Sequence, residues 1–101
     1  PRDSSSASIA ACGMLEMSKY LPEEEAAYYQ SIVAKLMKSL YDNYAVKDMT
    51  KSNGLVLHST YSNHSPYNTC NHYGVDECNA WGDYFYMEAL TRMSKDWELY
   101  W

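Results

Sequence analysis

Two of the three helical segments in this 101-residue chain are apolar on nearly every face, and so short a chain has too little interior to cover both. The first runs from about Ser6 to Lys19, with Asp3 or Ser4 placed to cap the orphan N–H groups of its first turn. Ala7, Ile9, Ala10, Ala11, Cys12, Met14, Leu15 and Met17 leave it no polar stripe, and the small residues of its first half permit close helix approach. The third runs from about Ala80 to Lys95 and carries Trp81, Tyr84, Phe85, Tyr86, Met87, Ala89, Leu90 and Met93. A helix apolar all round is a buried helix.

The segment between them has a different pattern. Pro22 suits a first helical position, and Glu23, Glu24 and Glu25 place negative charge at the positive end of the helix dipole. Ile32, Leu36, Leu40 and Tyr44 recur every four residues, with Val33 and Met37 alongside and Lys35, Lys38 and Asp42 opposite. This is a surface helix. Asn43 to Gly54 reads as a loop, Gly54 to His58 as a short β-prone run, and Ser59 to Asn79 has no period at all. A structureless stretch of that length is more often functional than idle. The order is therefore buried helix, surface helix, long loop, buried helix. Alternation of inner and outer helices is what an α/α-barrel requires, so the chain is expected to be all-α and to supply helices to a larger helical body.

Charge narrows the function. Eight Lys and Arg against thirteen Asp and Glu give a net charge of −5, which lacks the basic stripe that nucleic acid demands. No apolar run approaches the ~18 residues of a membrane span, and the opening residues do not read as a signal peptide. Eleven Tyr, three Trp and one Phe are a rich aromatic supply, suited to stacking on sugars and on bases as well as to filling cores.

The reactive side chains are less informative than they look. His58, His64, Cys70, His72 and Cys78 cluster in the loop, but the paired C-x2-C knuckle of zinc sites is missing, and metal is set aside. No Gly-x-Ser-x-Gly elbow accompanies the Ser and His residues. Asp76, Glu77, Asp83 and Glu88 would suit a carboxylate pair, yet Asp76 and Asp83 read better as turn and helix-start residues. Cys12, among Ala and Ile, is a core residue. The triplet Asn63-His64-Ser65 matches a glycosylation acceptor, a pattern common by chance.

The run Gly54-Leu-Val-Leu-His-Ser-Thr-Tyr-Ser-Asn-His-Ser65, followed by Gly74-Val-Asp-Glu-Cys-Asn-Ala-Trp-Gly-Asp-Tyr-Phe-Tyr-Met-Glu-Ala-Leu90, closely resembles the C-terminal region of unsaturated glucuronyl hydrolases, glycoside hydrolase family 88. Asp3 to Gly13 resembles an inner helix of that family, and Asp96 to Trp101 its C-terminus. The resemblance implies an (α/α)6 barrel, with residues 1–101 a C-terminal segment that leaves the barrel incomplete. It also implies removal of a 4,5-unsaturated uronic acid from lyase-generated, glycosaminoglycan-type oligosaccharides, with no cofactor. An Asp acts there as general acid/base, hydrating the vinyl-ether double bond. The family's catalytic Asp residues precede this region, so the chain is expected to carry none, and its partners are the substrate and the remainder of the barrel.

One motif transfers by position. Some members carry Ser-x-x-Ser-x-Lys in this loop, contacting the next sugar and its sulfate. Here Ser62 and Ser65 stand at the serine positions and Tyr67 replaces the lysine, which weakens the case for sulfate. Tyr61 is a candidate ring for a sugar face. Pro66 to Tyr73 resembles an insertion that brings in Cys70, while Cys78 stands where relatives usually have Gly; a Cys70–Cys78 disulfide is expected, with Cys12 reduced. The rival reading is a non-catalytic helical carbohydrate-binding or interaction module.

Overall fold

The structure, a computed structural model, describes residues 2–62 and 74–99. It contains helices α1 (Ser4–Ser18), α2 (Glu23–Asn43) and α3 (Ala80–Ser94). Among the described residues no strand forms. Val56 makes one isolated bridge with Ala45, and Ser59 makes another with Glu77, which is all that the β-prone run and its surroundings yield.

The helix ends follow from their caps. Asp3 is extended and its carboxylate accepts from the Ser5 N–H at 3.1 Å, so α1 begins at Ser4, two residues before the expected Ser6. Pro22 caps α2 rather than opening it. Its backbone is extended (ψ 149°) and its carbonyl accepts the Ala26 N–H at 2.9 Å. Asn79 caps α3 through a 2.7 Å bond from the Gly82 N–H.

α1 is the central element. Ser4 and Ala7 share a groove with Leu36, Leu40 and Tyr44, while Leu15 lies by Gln30 and Val33, so α2 runs antiparallel to it. Ser5 adjoins Gly82, Cys12 meets Phe85 and Glu16 meets Arg92, so α3 runs parallel to it. The core is Ala11, Cys12, Val33, Met37, Leu40, Val56, Tyr86 and Ala89.

α1 is only half the buried helix its composition suggests. Its buried residues are Ser4, Ser5, Ser8, Ala11, Cys12 and Ser18, all small. The larger Ile9 and Met17 face outward, and so do Trp81, Tyr84, Met87, Leu90 and Met93 of α3, with Met87 56% exposed. Small side chains let the helix axes approach, and that close approach leaves the bulky residues on the opposite sides. Three helices therefore leave broad apolar faces without a partner within the described residues.

Candidate functional site

Because α1 and α3 are parallel, their N-termini lie side by side, and the loop between α2 and α3 crosses over both. Ser59 is the point of attachment. It is fully buried, its hydroxyl lies 3.0 Å from that of Ser4, and a Cβ on Gly82 would sit 2.7 Å from its Oγ. Only a glycine in the first turn of α3 lets the loop come this close. Ser59 and Glu77 exchange both backbone hydrogen bonds, at 2.7 and 3.1 Å, and so close the base of the loop.

α1 contributes its cap to the same junction. The Asp3 carboxylate accepts from the Ser5 hydroxyl at 2.6 Å, the Ser6 hydroxyl at 2.5 Å and the Thr60 N–H at 3.1 Å, tying the loop to the helix start. Partial burial opposes its ionisation, but these bonds outweigh the burial and hold its pKa below the usual aspartate value. In return the Ser4 N–H donates to the His58 carbonyl at 3.1 Å and the Ser4 hydroxyl to the Leu57 carbonyl at 2.7 Å.

Ser62 stands three residues beyond this anchor. Its N–H and that of Tyr61 both donate to the Gly74 carbonyl, at 3.2 and 2.8 Å. Gly74 has φ +70°, and a Cβ there would lie 2.7 Å from the Ser62 carbonyl oxygen, so the closure demands glycine twice over. Ser62 is thus held where the chain leaves the helix ends. Ser65, the second expected binding residue, lies outside the described residues, as do Tyr67 and the Pro66 to Tyr73 insertion.

Beside Ser62, the Tyr61 ring meets the edge of Trp81 with centroids 6.2 Å apart. Trp81 is 43% exposed although its segment reads as a buried helix. Position along the helix distinguishes it: Trp81 lies in the first turn of α3 beside Tyr61 of the loop, whereas Phe85, Glu88 and Arg92 further along line a groove with Ile9, Cys12 and Glu16 of α1.

The carboxylates singled out as acid/base candidates are engaged structurally. Asp83 accepts the N–H groups of Leu55 and Val56, both at 3.0 Å. Glu88, nearly buried, accepts from Arg92 Nε at 2.8 Å, and Arg92 Nη1 reaches Glu16 at 2.6 Å. Burial works against the Arg92 charge, yet its bonds to the two glutamates raise its pKa above the ordinary arginine value. Asp76 bonds to His58 at 2.9 Å. Glu77 holds the loop base through its backbone. Among the described residues no three His, Cys, Asp or Glu converge on one point.

Cys12 is buried with its thiol donating to the Phe85 carbonyl at 3.3 Å; burial above all, then the Glu88 charge, pushes its pKa up to about 12. Cys78 carries a free thiol packed against Gly54 and 3.4 Å from the Ser52 hydroxyl. Its expected disulfide partner, Cys70, lies outside the described residues. Among the described residues no helix is long and apolar enough to cross a membrane.

No family model matches the chain. It is 45% identical over 103 aligned positions to an unsaturated chondroitin disaccharide hydrolase of Streptococcus agalactiae, and 32% identical to an unsaturated glucuronyl hydrolase of Bacillus sp. GL1. The first alignment uses the whole chain but 24% of the relative, the second 99% of the chain and 26% of the relative. The chain thus spans about a quarter of the length of the curated relatives it matches. The crystal structure of an aspartate-to-asparagine variant of the S. agalactiae glucuronyl hydrolase superimposes with a TM-score of 0.85 over the whole chain, covering 27% of that enzyme. An aspartate-to-asparagine variant of a second relative, 32% identical and solved with dGlcA-Glc-Rha-Glc, gives 0.78 over 93% of the chain and 24% of its own. These hydrolases are α/α barrels, and the all-α expectation and the resemblance to them both hold.

Proposed function

We propose that the chain is a segment of an unsaturated glucuronyl hydrolase, and that the loop across the α1 and α3 N-termini is where it meets the substrate. The likeness to such hydrolases in sequence and backbone, which takes in the whole chain, carries this reading. The reaction would release a 4,5-unsaturated uronic acid from an oligosaccharide by hydrating the vinyl ether. The proton would come from an Asp outside this segment, since Asp76, Asp83 and Glu88 here hold hydrogen bonds within the fold. The unpartnered apolar faces of α1 and α3 would pack on the remainder of the barrel.

In this reading Ser62 and Ser65 hold the sugar beyond the scissile bond. A hydroxyl donates one hydrogen bond and accepts others, which suits sugar and sulfate oxygens alike. The anchoring of Ser62 through Gly74 supports the assignment, because a pre-set donor loses little freedom on binding. The paired rings of Tyr61 and Trp81 offer an apolar edge for a sugar face. Tyr67, where some members carry lysine, removes a positive charge and turns preference away from sulfated sugars.

The test is loss of the C4=C5 ultraviolet absorbance by the full-length protein that carries this segment. Replacing both Ser62 and Ser65 with Ala should raise KM several-fold to tens-fold, at about 0.5–1.5 kcal/mol per neutral hydrogen bond, and leave kcat nearly unchanged. The 101-residue chain by itself should leave the absorbance untouched. No turnover by the full-length protein would overturn the hydrolase reading. An unchanged KM in the double variant would overturn the serine assignment.

A further inference from the structure

His58 precedes Ser59 and Asp76 precedes Glu77, so they stand diagonally across the antiparallel closure, Asp76 on the Ser62 side and His58 on the other, and both have left-handed backbones, with φ +63° and +57°. A left-handed non-glycine residue is uncommon, and two set diagonally across one bridge need something to hold them. The structure supplies it: His58 Nδ1 lies 2.9 Å from Asp76 Oδ1, and the imidazole packs edge-on against the Tyr44 ring at 5.6 Å. The left-handed turn at His58 is also what aims its carbonyl at the Ser4 N–H of α1.

We infer that His58 and Asp76 form a clasp that sets the position of Ser62, and so tunes substrate affinity without touching the substrate; this rests on the hydrolase reading above. From the clasp the path is short. His58 and Asp76 fix the ends of the Ser59–Glu77 pair, that pair fixes the spacing of the two strands of chain, and Gly74 presents its carbonyl to Tyr61 and Ser62. Without the side-chain link, two left-handed residues have no mutual support, and the strands of chain beyond them loosen together. His58 and Asp76 are positioning residues.

Glycine adopts a positive φ freely, so His58→Gly and Asp76→Gly each delete the link while sparing the backbone a steric conflict. In the full-length hydrolase each should raise KM about three- to tenfold and leave kcat within twofold. Hydrogen exchange at the Ser59, Tyr61 and Ser62 amides should quicken at least tenfold, with the amides of α1 unchanged. The exchanged pair, His58→Asp with Asp76→His, keeps two residues tolerant of left-handed backbone and able to bond to each other. It should recover most of the KM and the slow exchange. Unaltered exchange in both glycine variants overturns the clasp. Faster exchange with unaltered KM, in an enzyme whose KM does respond to loss of Ser62 and Ser65, overturns the positioning role and leaves the hydrolase reading standing. Unaltered KM in every variant, the serine pair included, overturns both.

Discussion

Asp83 invites mutation because a carboxylate in a loop-and-helix junction looks catalytic, while its geometry makes it a clamp. Its Oδ1 accepts two backbone N–H groups, from Leu55 and Val56, both at 3.0 Å, and Val56 is fully buried. Asp83→Ala removes the acceptor and leaves both donors unpaired. An unsatisfied buried donor costs about 1–3 kcal/mol, more when the lost acceptor was charged. Two donors sharing one oxygen are not additive, and Leu55 is only half-buried and can regain water, so about 3 kcal/mol is expected for the pair. Asp83→Asn keeps a carbonyl oxygen in place and loses only the charge, for about 1 kcal/mol. Urea unfolding of the full-length protein measures both, and steady-state kinetics separates the roles. A general acid or base contributes roughly 10²–10⁴-fold to rate, so a catalytic Asp83 would lose that much on conversion to Asn. The clamp predicts kcat within about twofold for Asp83→Asn and a lowered unfolding midpoint for Asp83→Ala. Loss of kcat by a hundredfold in a fully folded Asn variant, or an Ala variant as stable as the parent, would refute the reasoning.

The depressed pKa of Asp3 makes its bonds a source of stability that is complete above the unfolded aspartate value near 3.8 and is lost as pH falls through the lower folded value. Asp3→Asn should therefore be less stable than the parent at pH 7 but lose less Tm between pH 4 and pH 2.5; parallel Tm curves would contradict this. Cys12, with its pKa near 12, should resist thiol reagents at pH 8 in the native protein and react only on unfolding. Mass spectrometry of alkylated protein reads this directly, and native labelling of Cys12 at the rate of a free thiol would contradict its burial.

The helices were legible because their signals are local. Asp3 stands at the cap of α1, Pro22 marks the start of α2 to within one residue, and the four-residue recurrence from Ile32 to Tyr44 marks the face that α2 buries. The chain order of buried and surface helices also announced a body larger than itself, since apolar surface without cover has to be met from elsewhere. Which side of α1 faces inward was not legible, because an all-apolar helix has no stripe to read; close packing chose the serine and alanine side and turned Ile9 and Met17 outward. The described parts of the loop were legible as irregular, but their anchors were not. Asp83 finds its partners 27 and 28 residues back, Asp3 reaches Thr60 across 57, and His58 meets Asp76 across 18. Hydrogen bonds between residues so far apart leave no periodicity in the sequence. They exist only once parallel α1 and α3 bring both helix N-termini, and the loop that satisfies their N–H groups, to the same end of the fold.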